Sequence, residues 1–132
     1  MNYNELCRLA IIAMKKAYCP YSGYSVGAAL LTKHGKVYTG CNIENASFTP
    51  TVCAERTAFF KAVSEGERDF EVIAVAGGKN GVISGVFPPC GVCRQVMAEF
   101  CPSEFKVLFV KSEGEFEEHT LGELLPCSFG LE

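Results

Sequence analysis

Glu71-Val72-Ile73-Ala74-Val75-Ala76 is a short apolar run rich in β-forming residues, and it reads as a buried strand ended by Gly77-Gly78. After a loop holding Pro88-Pro89, residues 90–100 carry Val92, Val96 and Phe100 at helical spacing, with Pro102 closing the helix. Lys106-Val107-Leu108-Phe109-Val110-Lys111 is a second strand of the same kind. Residues 115–119 pair beside it after the turn at Glu113-Gly114. A last short helix begins at Thr120, where Thr120 and Glu123 fit a capping box. Working back toward the N-terminus, residues 53–65 carry Ala54, Ala58, Ala62 and Val63 at helical spacing and stop at Gly66. Residues 24–32 and 37–40 flank Lys33-His34-Gly35-Lys36, a hairpin signal, and a polar loop follows at residues 42–47. Residues 2–17 form a first helix with Leu6, Leu9, Ala10, Ala13, Met14 and Ala17 on one face, stopped by Cys19-Pro20. Helices alternating with apolar strands require a sheet covered on both faces, and the opening hairpin makes that sheet mixed. The expectation is one α/β domain over residues 1–132, three-layer α/β/α with a central, roughly five-stranded sheet.

Composition narrows the function. The chain has 12 Lys and Arg against 15 Asp and Glu, a net charge of −3, and no basic cluster to track a phosphate backbone. Long nucleic acid is not an expected partner. Met1-Asn2-Tyr3-Asn4-Glu5 lacks the plan of a signal peptide, and no apolar run approaches the length of a membrane span. A cytoplasmic protein with no membrane partner is expected. Eight cysteines in 132 residues permit a disulfide scaffold. Without an export signal, cysteines at metal spacing are better read as ligands, and isolated ones as small buried hydrophobes. Cys7, Cys19, Cys41, Cys101 and Cys127 fall in the second group.

Pro89-Cys90-Gly91-Val92-Cys93 places a Cys-x-x-Cys at the start of a helix. Two thiolates at that spacing grip one metal ion, and thiolates suit zinc. A helix N-terminus also favours the ionised thiol. The pattern alone equally describes a thioredoxin-like redox pair. Cys53, which opens the other central helix two residues before Glu55, shifts the balance to zinc. A structural zinc wants a fourth Cys or His; a catalytic one keeps three protein ligands and a position for water. Cys101, His34 and His119 are poorly placed to be that fourth ligand.

Cys53-Ala54-Glu55-Arg56 and Pro89-Cys90-Gly91-Val92-Cys93-Arg94-Gln95 match the zinc deaminase signature in its three-cysteine form. Residues 24–29, 40–46, 53–58 and 123–126 match in order, so nearly the whole chain resembles the small homotetrameric cytidine deaminases. That resemblance implies one Zn²⁺ per subunit on Cys53, Cys90 and Cys93. Glu55 is then the proton carrier between the attacking water, N3 of cytosine and the departing amine. The implied reaction is hydrolysis of cytidine and 2′-deoxycytidine to the uridine nucleosides and ammonia, in pyrimidine salvage. Three thiolates and Zn²⁺ sum to −1, and the resemblance implies that Arg56 tempers this by donating to the sulfurs. Asn42 and Glu44, two apart in a loop, combine an amide and a carboxylate suited to ribose hydroxyls. The family holds the sugar 3′-hydroxyl with this pair. Ala54 belongs to the implied substrate contacts, as does Tyr24, where the family often has Phe against the base. Ala46, Phe48 and Phe129 resemble residues reaching substrate from an adjacent subunit. A departure from the family lies in residues 79–89, where Gly85-Val86-Phe87-Pro88 adds length before Cys90. The competing readings are a deaminase of a cytosine-containing antibiotic such as blasticidin S, a polynucleotide-editing deaminase, and a non-catalytic zinc-stabilised binding module.

Overall fold

The computed structural model of the protein describes residues 1–131. Its elements are α1 (Tyr3–Met14), β1 (Tyr24–Thr32), β2 (Val37–Cys41), α2 (Ala54–Ser64), β3 (Phe70–Lys79), α3 (Gly91–Phe100), β4 (Lys106–Ser112), β5 (Glu115–Thr120) and α4 (Leu121–Leu124). The strands form one sheet in the order β2-β1-β3-β4-β5. β3 and β4 are parallel and joined through α3, while the other neighbouring pairs are antiparallel. The mixed five-stranded sheet expected from the sequence is therefore present.

Both faces of the sheet are buried, which is why the central strands show no polar alternation. Leu6, Cys7, Ala10 and Met14 of α1 pack with Ala29 and Leu31 of β1, Val72, Ala74 and Ala76 of β3, and Leu108 and Val110 of β4. The intervening residues Ala28, Leu30, Ile73, Val75, Val107 and Phe109 meet α2 and α3 on the opposite face. One helix on one face and two on the other give the three layers.

Several boundaries differ from the sequence reading for identifiable reasons. α1 starts after Asn2, whose side chain accepts the Glu5 N–H at 2.8 Å. It ends at Met14 rather than residue 17, because Tyr18 is drawn into a bridge with the loop after β2. Tyr18 donates to the Asn42 carbonyl at 3.0 Å and accepts from the Glu44 N–H at 2.8 Å. Gly77-Gly78 does not end β3; pairing with β1 continues through Tyr24 opposite Lys79. These glycines serve close approach instead. A Cβ on Gly77 would lie 2.3 Å from Phe87 Cγ, and one on Gly78 would lie 1.8 Å from the Val82 carbonyl oxygen. Residues 80–89 thus fold back over the end of the strand, held by a 3.0 Å bond from the Ser84 N–H to the Gly77 carbonyl. In α3 the buried residues are Cys93 and Met97, whereas Val92 is 57% exposed. The Val92, Val96 and Phe100 face borders a surface depression with Phe60 of α2. Thr120 caps α4 through the expected capping box with Glu123. None of the eight cysteines is in a disulfide. Cys7 is buried and Cys19, Cys41 and Cys101 partly so, but Cys127 is exposed, because it lies in the surface segment that follows α4.

α2 reaches the site by pressing directly on β2. A Cβ on Gly40 would sit 2.5 Å from both the Ala54 carbonyl oxygen and the Ala58 nitrogen. Gly40→Ala should therefore destabilise the fold by about 1–3 kcal/mol, read from the midpoint of urea unfolding. An unchanged midpoint would mean that α2 can lift from β2 at no cost.

Candidate active site

Cys53 and Cys90 occupy the N-cap positions of α2 and α3, both extended and neither capping its helix through its side chain. Cys93 lies in the first turn of α3, so two helix N-termini converge on one cluster of thiols. Cys53 Sγ is 3.7 Å from Cys90 Sγ, and Cys90 Sγ is 3.5 Å from Cys93 Sγ. Sulfurs about 2.3 Å from a tetrahedral zinc lie about 3.8 Å apart, so this donor set fits zinc in both chemistry and spacing. Among the described residues no other group of three His, Cys, Asp or Glu is gathered this way. His34 and His119 are engaged elsewhere, with Glu67 at 3.2 Å and Glu117 at 3.1 Å. A zinc held by these three thiolates would keep a fourth position for water.

The shared hydrogen bond between Cys53 and Cys93 places charge on Cys53 and holds the proton on Cys93, whose thiol is pushed up by that bond and by burial. Hydrogen bonding with Cys93, helped by Arg56 and Cys90 and opposed by burial, brings the Cys53 thiol down to about 5. The Arg56 Nη2 group donates to Cys53 Sγ at 3.4 Å, while its buried Nε has no partner. Thr57 Oγ1 ties this end of α2 to β2 by donating to the Cys41 carbonyl at 3.0 Å. Glu55, two residues after Cys53 in the first turn of α2, is only 3% exposed. Burial pushes its carboxyl up to about 7, against the opposing effect of its own backbone N–H. A carboxyl that holds a proton near neutral pH is suited to both taking and giving one.

Glu55, Cys53 and Cys90 open onto a cavity of about 250 Å³. Asn42, Glu44 and Thr51 add polar groups to its lining, and Val26, Val52, Ala54, Phe87 and Pro88 supply apolar surface. Asn42 is buried and tethered, donating from Nδ2 to the Tyr24 carbonyl and accepting at Oδ1 from the Val26 N–H, both at 2.8 Å. Glu44 Oε1 accepts from the Tyr21 and Ser22 N–H groups at 2.9 and 3.1 Å, and Oε2 accepts from the Ser22 hydroxyl. Those bonds, the Ser22 hydroxyl first, keep the Glu44 carboxyl below the usual carboxylate range. It is an ionised acceptor at the cavity edge.

The remaining residues singled out from the sequence lie further out. Tyr24 is 46% exposed and is not among the residues lining the cavity; its ring reaches the site only through Phe87, 6.0 Å away, with Lys79 Nζ 5.8 Å from its centroid. Phe48, at φ +61° and 75% exposed, borders an adjoining depression that shares Glu44 and Thr51 with the cavity. Ala46 is exposed nearby. Phe129 is 70% exposed, and its carbonyl accepts from Gln95 Nε2 at 3.2 Å on the outer side of α3. Within one chain, then, Ala46, Phe48 and Phe129 are not brought to the thiols. Sequence reasoning noted Phe87 and Pro88 only as part of the added loop and Arg94 only as part of the signature, with no role for any of them, and it passed over Ser22. Arg94 bridges the Pro89 and Leu124 carbonyls, each at 2.7 Å, and so fixes the segment entering α3. Its signal was available: an arginine four residues after a helix-opening cysteine can reach back past the N-cap. Ser22 carried no such signal, and the contact of Phe87 with Gly77 could not be read from its loop, because both act across the fold.

A mixed α/β/α sheet with a three-thiol site at two helix N-termini defines a zinc-site protein of deaminase type. Residues 1–109 match the family model for the cytidine and deoxycytidylate deaminase zinc-binding region, and the chain belongs to this family. It is 52% identical over its whole length to the cytidine deaminase of Halalkalibacterium halodurans, spanning 97% of that protein. It is 51% identical, again over its whole length, to the cytidine deaminase of Sporosarcina psychrophila, spanning 94% of it. The crystal structure of cytidine deaminase from Burkholderia pseudomallei superposes with a TM-score of 0.89 at 44% identity, covering 98% of this chain and all of that one.

Proposed function

We propose that the protein is a zinc-dependent hydrolase that converts cytidine and 2′-deoxycytidine, with water, to uridine and 2′-deoxyuridine plus ammonia. The observation that carries this reading is the open three-thiol cluster sharing one cavity with the buried carboxyl of Glu55. Zinc on Cys53, Cys90 and Cys93 supplies the Lewis acidity that makes water a nucleophile near neutral pH. Glu55 takes one proton of the water attacking C4 and delivers it to N3; it then moves the proton of the new C4 hydroxyl to the amine, so that the C4–N bond breaks, ammonia leaves and the C4 carbonyl forms. Ala54 lines the cavity beside it. Arg56 donates to Cys53 and tempers the negative charge of the three thiolates. Glu44, ionised and held by Ser22, accepts from a ribose hydroxyl, and Asn42 uses the hydrogen-bonding capacity left over from its backbone bonds. Tyr24 packs against Phe87, which lines the pocket.

The same reading makes residues 1–132 one deaminase domain, cytoplasmic, working in pyrimidine salvage as a homotetramer. The depression in which Phe60, Val92, Val96 and Phe100 come together supports the assembly, since a contiguous exposed apolar patch is a candidate contact surface. Ala46, Phe48 and Phe129 then complete a neighbour's site. Sizing the native protein tests this, and an active monomer would contradict it. A blasticidin S-type substrate is the weaker reading, because full-length relatives above 50% identity carry the cytidine deaminase name. A non-catalytic module leaves the buried Glu55 and the three-ligand set without a reason. The deciding experiment is incubation of the zinc-loaded protein with cytidine and with deoxycytidine, following ultraviolet absorbance and ammonia. Survival of both nucleosides would overturn the reading.

A further inference from the structure

The loop between β3 and α3 ends at the cavity wall. Residues 80–89 fold back over β3, and the Phe87 ring lies flat on the strand where Gly77 has no side chain, its Cγ 2.3 Å from where a Cβ would stand. The Tyr24 ring braces it from β1 at a centroid distance of 6.0 Å and an interplanar angle of 52°. Phe87 and Pro88 both line the cavity next to Cys90, on the segment leading into α3. Glu55 enters the same cavity from α2.

The cavity lining thus combines polar groups, Asn42, Glu44, Thr51 and Glu55, with the apolar side chains of Val26, Val52, Ala54, Phe87 and Pro88. Cytosine has both kinds of edge: O2, N3 and the amine hydrogen-bond, whereas the C5–C6 edge carries only C–H. Glu55 serves the N3 edge, so the C5–C6 edge is complementary to the apolar surface, in which Phe87 has the largest side chain. We propose that Phe87 is the specificity-determining residue for the base, and that its ring, seated on Gly77, limits the size of substituent tolerated at C5 of the pyrimidine. The inference rests on the cytidine reading above and adds the position on the ring that this chain inspects.

The test compares kcat/KM for 5-methylcytidine with that for cytidine in wild type, Phe87→Leu and Phe87→Ala. The ratio should rise in that order, by about tenfold for Phe87→Ala, the usual scale for one carbon in an apolar pocket. The ratio of deoxycytidine to cytidine, which reads the ribose end, should stay within twofold. If Phe87→Ala fails to fold, Phe87→Leu carries the comparison, with a rise of threefold or more expected. A 5-methylcytidine ratio unchanged within twofold in the folded variants overturns the proposal. So does a parallel rise in both ratios, which would mean that Phe87 merely stiffens the loop. Wild-type protein that turns over neither cytidine nor deoxycytidine would instead remove the functional reading beneath it.

Discussion

Glu55→Gln is expected to lower kcat for cytidine by about ten thousandfold, the upper end of what general acid–base catalysis contributes, while retaining one zinc per chain. Glutamine keeps the volume and much of the hydrogen bonding of the carboxyl but cannot shuttle protons. The three sulfurs are untouched, so metal content measured by elemental analysis should match wild type. The melting temperature should not fall, because Glu55 is only 3% exposed and the change replaces an ionisable group by a neutral one of the same shape. Loss of zinc together with activity would show that Glu55 acts on the metal site rather than on the substrate. Turnover within tenfold of wild type would remove it from the chemistry.

Cys93→Ala is expected to release the metal and with it the activity. Cys93 is 1% exposed in the core cluster that includes Phe59 and Met97, and alanine fits there without burying a polar group. The fold should survive, but the site is reduced to two thiols. Structural zinc sites are worth about 10–16 kcal/mol over four ligands, so one ligand carries about 3 kcal/mol, more than a hundredfold in affinity. Wild type should melt at a lower temperature after treatment with a chelator, because binding to the folded state alone stabilises it. The variant should melt at one temperature with or without chelator. Full zinc occupancy in Cys93→Ala would exclude this thiol from the ligand set.

Much of this was legible in the sequence, and the reason is locality. The apolar runs of β3 and β4, the Thr120–Glu123 capping box and the start of α2 at Cys53 depend on residues within one turn or one strand of each other. Cys-x-x-Cys is a local pattern too. The misreadings arose where one residue type serves two purposes. Gly77-Gly78 has the look of a strand terminator, yet it admits Phe87 and Val82 onto a strand that continues. Val92, Val96 and Phe100 share a helical face, but Cys93 and Met97 are the side chains turned inward.

The sequence by itself determined the alternation of helices and strands, the mixed sheet, and the chemistry available: three soft ligands, one adjacent carboxylate, one arginine. Spacing along a chain constrains what lies within a few residues, because hydrogen bonding and side-chain periodicity act over that range. Only the tertiary structure decided that Cys53 meets Cys90 at 3.7 Å across 37 residues, and that Ser22 and Tyr21 hold Glu44. It alone set Phe87 against Gly77 as a wall of the same cavity. Those contacts depend on how α2, α3 and the β3–α3 loop pack on the sheet, and no local periodicity encodes which surfaces will face one another.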